Sequence, residues 1–136
     1  MKSRFSLVLV ALLLALGVLS VAADSRPLSV AVTYEQALNL GDMASLSGLF
    51  AADAVYVNGI GGEEIVGPEA ISEVLASQGR DTRSFEIVGA TMANDQLTLV
   101  VDISDRGIAW GRQTLRATIE DGFIQRLEPV AFRLLF

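Results

Sequence analysis

Residues 34–67, YEQALNLGDMASLSGLFAADAVYVNGIGGEEIVG, decide the fold. Val30, Tyr34, Ala37 and Leu38 recur at helical spacing and predict a helix over 28–40, with Gly41 ending it. Asp42 is placed to cap a second helix over 43–50, whose Met43, Leu46, Leu49 and Phe50 form one apolar stripe. Residues 54–58 read as a short strand ending at Asn58. The stretch 59–67 is too rich in glycine and polar residues to read as regular structure. Pro68 then suits the first position of a third helix over 68–77, with Glu69 in its first turn. A pocket in such a fold opens where the strand meets the glycine-rich loop.

Beyond the third helix the apolar period changes from helical to alternating. Strands are predicted over 84–92, 96–104, 108–119 and 123–132, separated by Ala93-Asn94-Asp95, Asp105-Arg106-Gly107 and Glu120-Asp121-Gly122. In the second of these, Leu97, Leu99, Val101 and Ile103 share one face. In the third, Trp110, Arg112, Thr114 and Arg116 fall opposite Gln113, Leu115 and Ala117. Helices followed by a meander indicate an α+β domain, a curved antiparallel sheet with the helices packed in its concavity.

Residues 1–23 read as an export leader: Lys2 and Arg4, then the uncharged run FSLVLVALLLALGVL over 5–19, then small residues at 20–23. Cleavage is expected after Ala22 or Ala23, with a linker over 24–27 and one domain over 28–136. A retained N-terminal anchor is the alternative, the run being slightly short of a spanning helix. The whole chain has 10 basic and 16 acidic residues, and loss of the leader leaves 8 against 16. That charge argues against nucleic acid and, once the leader is gone, against membrane surfaces as partners. Without His or Cys the chain has no Ser-His-Asp or Cys-His system and no common zinc site. No metal or other cofactor is expected, and carboxylates, tyrosine and arginine are left for any proton chemistry.

The phrase LNLGDMASLSGLFAADAVYV over 38–57, IVGPEAI over 65–71 and IEDGFIQRLEP over 119–129 resemble the nuclear transport factor 2-like superfamily, which includes SnoaL-type polyketide cyclases and ketosteroid isomerases. The resemblance spans about 28–132. It implies a cone-shaped α+β fold with an apolar pocket and, in many members, dimerisation through the outer sheet face. Set against the isomerases, Tyr34 matches their helical oxyanion donor, but their general base falls at Asn58 and their second donor at Leu115. The cyclases resembled here pair an Asp with a His, which this chain lacks. Epoxide hydrolases of this fold use an Asp–Arg–Asp set, and no convincing triple falls on inward positions here. No catalytic residue is therefore assigned.

Strand alternation makes Tyr34, Tyr56, Asn58, Leu99, Val101, Gln113, Leu115 and Leu127 the candidate ligand-binding residues, a mostly apolar set with a few hydrogen-bonding points. The plainer alternative is that the aliphatics simply fill the core. Glu63-Glu64 is a carboxylate pair that more commonly just faces water. Trp110, Arg112 and Arg116 are the candidate homodimer surface on the outer sheet face. The expectation is an exported binding or interaction module for a small hydrophobic molecule. Two alternatives stay open: an isomerase-, cyclase- or epoxide-hydrolase-type enzyme using Tyr34 and Asn58, and a purely structural dimerisation domain.

Overall fold

The computed structural model describes residues 26–79 and 82–136, so the leader and its cleavage site lie outside the described residues. These form three helices and six strands: α1 (Arg26–Leu40), α2 (Met43–Ser47), β1 (Phe50–Asn58), β2 (Glu63–Val66), α3 (Pro68–Gln78), β3 (Arg83–Ala93), β4 (Gln96–Asp105), β5 (Ile108–Glu120) and β6 (Phe123–Leu134). The strands make one curved sheet in the order β2-β1-β6-β5-β4-β3. All neighbours are antiparallel except β1 and β6, whose parallel pairing sets Tyr56 opposite Leu127. The α+β architecture with helices in the concavity is therefore as the sequence predicts.

The helix boundaries have local causes. Gly41 takes a φ of 66° and closes α1: its N–H donates to the Leu38 carbonyl, and the Asp42 N–H reaches the Ala37 carbonyl at 2.9 Å. Asp42 then caps α2, accepting from the Ser45 N–H at 3.1 Å and the Ser45 hydroxyl at 2.7 Å. Here the sequence reading overshot. α2 stops at Ser47 with Gly48 as its C-cap, and β1 starts at Phe50 rather than Ala54.

The stretch expected to be irregular holds a strand. Residues 59–62 turn tightly, the Gly62 N–H donating to the Gly59 carbonyl at 3.0 Å, and β2 returns along β1 with Glu63 opposite Asn58. Its polar EEIV reads as loop because the strand sits at the sheet edge and buries little. The meander follows its predicted limits closely. At Arg106-Gly107 and Asp121-Gly122 both central turn residues have positive φ, the geometry that matches strand twist in two-residue hairpins. The apolar tail continues β6, as far as Leu134 opposite Gly111.

Irregular pairings bend the sheet: beside Val88, at Trp110, at Val130 and at Gln125, one residue is left over against the neighbouring strand. In the concavity Leu97, Leu99, Val101, Ile103, Leu115, Ala117, Ile124 and Leu127 are buried against Val30, Ala31, Leu38, Leu46, Ile71 and Leu75 from the helices. Each such large side chain contributes about 1.5–3 kcal/mol through burial. The other face of β4 and β5 carries Thr98, Asp102, Arg112 and Arg116, with Arg112 clasping Asp102 through two bonds of 2.6 and 2.9 Å.

Candidate functional site

One end of the cone is the candidate site. β1 stops there at Asn58, β3 and β5 begin there, β6 ends there, and the last residues of α1 and α3 meet there. Gly79 makes that meeting possible, since a Cβ on it would sit 2.6 Å from the Leu38 carbonyl oxygen. Gln78, one residue earlier, donates from Nε2 to the Tyr56 hydroxyl at 3.1 Å.

Tyr34 and Tyr56 are the polar points at depth. Tyr34 is only 4% exposed, yet its hydroxyl bonds to no described residue and is not among the fully sealed, unsatisfied atoms. Burial pushes this hydroxyl far above the usual tyrosine range, and the neighbouring Tyr56 adds to the effect. Burial also raises Tyr56, with the hydrogen bond from Gln78 pulling the other way. Both phenols stay protonated at ordinary pH. They can donate to a carbonyl or hydroxyl, and neither can serve as a base.

The remaining candidates divide. Leu99, Val101, Leu115 and Leu127 are each no more than 2% exposed, and Leu99 lies directly opposite Leu115. In this packing they fill the core rather than line an open wall, so a guest touches them only if side chains move. Asn58 is exposed at the rim, and Gln113 is half-buried opposite Val101. Glu64 of the carboxylate pair is bonded to Arg126 at 3.1 Å, while Glu63 is exposed beside Asn58.

Trp110 does not share a face with Arg112 and Arg116, contrary to strict alternation. The extra residue between Ala109 and Gly111 turns its ring onto the core cluster. There the Arg83 guanidinium lies 5.9 Å from its centroid and the Phe132 ring 6.0 Å away. Arg112 and Arg116 remain on the outer face.

Sequence reasoning missed three groups. Glu35 is 3% exposed, the one fully buried carboxylate among the described residues, and its Oε2 accepts the Ile87 N–H at 2.8 Å. Asn39, one turn later, bonds both backbone groups of Phe85. Glu35 and Asn39 are i and i+4 on α1, a pairing that reads as a solvated face unless the edge of β3 is known to lie beside it. Gln78 was missed because a polar residue at a helix end is ordinarily surface.

A curved sheet with helices packed in its concavity defines a cone-shaped α+β domain of the nuclear transport factor 2-like type. The chain belongs to the SnoaL-like domain family, whose model matches residues 31–127. No curated protein matches the chain. Among solved structures it is similar to a putative polyketide cyclase from Sinorhizobium meliloti, at 28% identity and TM-score 0.64, over 75% of this chain and 94% of that one. It shares its fold with a nuclear transport factor 2-like protein of unknown function from Mesorhizobium loti, at 18% identity and TM-score 0.68, over 79% and 93% of the two chains. A hypothetical protein with a ketosteroid isomerase-like fold from Catenulispora acidiphila, solved in complex with trimethylamine, matches at 21% identity and TM-score 0.62, over 75% and 84%.

Proposed function

We propose that this chain is a binding module that holds a small apolar molecule at the open end of its cone, without proton-transfer chemistry. The observation that carries this reading is the Tyr34 hydroxyl, almost wholly buried and bonded to no described residue. The hydroxyl keeps some exposure, since no buried side-chain polar atom is left unsatisfied among the described residues, and a guest acceptor that displaced water there would give it a direct hydrogen bond. The surroundings favour binding over catalysis. Glu35 is engaged by the Ile87 N–H, Asn58 has no proton-accepting carboxylate, and Leu115 is packed against the core. The alternative of an enzyme using Tyr34 and Asn58 therefore lacks a base.

The leader makes an extracytoplasmic location part of the proposal. The uncovered outer sheet face, with Arg112 and Arg116, is where a second copy would dock. Native mass spectrometry of the protein purified from an exporting host tests the whole reading. A released small molecule of low polarity is the expected result, on a protein of twice the monomer mass. A protein that carries no adduct, and whose thermal midpoint no apolar compound raises, would overturn the binding module. A monomer would overturn the dimer alone.

A further inference from the structure

The open end carries a cation that the binding reading does not use. Arg83 is half-buried at the start of β3, with its guanidinium 5.9 Å from the centroid of the Trp110 ring. Trp110 in turn stands 6.0 Å from Phe132, which is 44% exposed, and Leu134 beyond it on β6 is 53% exposed. Cation, indole and phenyl thus form one row, continued by an aliphatic side chain that no helix covers.

Among the described residues Arg83 also has no carboxylate partner. Arg112 is taken by Asp102, and Arg126 by Glu64 and Glu128. Arg83 makes no ion pair among the described residues, although Asp105 lies opposite it on β4. The contact with Trp110 positions a guanidinium, a group that can hold a carboxylate through two parallel N–H bonds.

We propose that the open end selects apolar molecules ending in an anionic group, a carboxylate above all, with the head on Arg83 and the body against Trp110 and Phe132. This rests on the binding reading above and adds the ligand class. The described charged side chains near this end also include the exposed Asp105, Arg106 and Glu63. A cationic head would compete with Arg83 for the indole face and would gain nothing from Tyr34 or Tyr56, which offer donors. Most long-chain anions are repelled by an acidic protein at a distance, so the preference belongs to this one contact.

Trp110 is the only tryptophan in the chain, so its emission reports on the site directly. Decanoate, decanol and decyltrimethylammonium, of equal chain length and kept below micelle formation, are titrated against the protein from an exporting host. Decanoate is expected to bind about tenfold more tightly than decanol, with the advantage shrinking as salt rises. Arg83→Gln should remove that advantage and leave decanol affinity unchanged, and Arg83→Lys should restore part of it. If the Arg83→Gln protein fails to fold, the salt dependence of the decanoate-to-decanol ratio in the unaltered protein decides the matter. Equal affinity for all three probes, or a preference for the cation, overturns the head-group assignment and leaves the binding reading standing. Failure of all three to bind overturns both.

Discussion

Asn39 makes both backbone hydrogen bonds of Phe85: its Nδ2 donates to the Phe85 carbonyl and its Oδ1 accepts the Phe85 N–H, each at 2.8 Å. A neighbouring strand would do the same. β3 is the last strand of its sheet, and its open edge would template pairing with another chain if left bare. One side-chain amide on α1, helped by Glu35 one turn earlier on the Ile87 N–H, closes that edge and docks the helix.

Asn39→Ala removes the acceptor and the donor together and leaves Phe85, a buried residue, with two unmet groups. The expected loss is about 1–3 kcal/mol in urea denaturation. Aggregation from the newly bared edge should accompany it, visible as a concentration-dependent rise in light scattering. A change below about 0.5 kcal/mol would mean that water serves the Phe85 groups equally well.

The outer face supplies a pH dependence. Glu86 lies opposite Asp102, and its pKa is raised above 4.5 by partial burial first, then by the charges of Asp102 and Glu35. A carboxyl whose folded pKa exceeds its unfolded value destabilises the fold above the folded pKa. That penalty fades as pH falls through the ordinary glutamate range. Glu86→Gln should therefore raise the denaturation midpoint at about pH 7 and make little difference at about pH 4. A gap that widens on acidification would show that the burden is not electrostatic.

How far the sequence carries depends on whether a residue's partner lies nearby along the chain. The Asp42 cap, the Gly41 stop and the turns at Arg106-Gly107 and Asp121-Gly122 are local chemistry, and all were legible. The inward aliphatics of β4 were legible because alternation fixes their face. Trp110 was not, because one extra residue in β5 flips the pattern and leaves no mark in the sequence. Glu35, Asn39 and Gln78 were missed for a related reason: each finds its partner 22 or more residues away.

Gly62 tests the turn that makes β2 a strand. A Cβ there would fall 1.9 Å from the Asn58 carbonyl oxygen, and backbone cannot yield as a side-chain tip does. Gly62→Ala should cost on the order of 1–3 kcal/mol and open the turn between β1 and β2. Hydrogen exchange checks it: faster exchange should be confined to Asn58, Glu64 and their neighbours. Protection that stays intact there would mean that the hairpin shifts as a body.

Tyr34 and Tyr56 give the sharpest contrast, because the same one-atom deletion is predicted to act differently at each. The Tyr34 hydroxyl bonds to no described residue, so Tyr34→Phe removes a desolvated group and breaks nothing. Stability should hold within about 0.5 kcal/mol, or rise. Tyr56→Phe takes the acceptor away from the Gln78 amide at the junction of α1 and α3, and a loss of about 0.5–1.5 kcal/mol is expected. Binding should reverse the order. If a guest takes its hydrogen bond from Tyr34, decanol should bind about 5- to 10-fold more weakly to Tyr34→Phe than to the unaltered protein. A destabilised Tyr34→Phe with unchanged affinity would make this hydroxyl a structural group and withdraw the observation on which the binding reading rests.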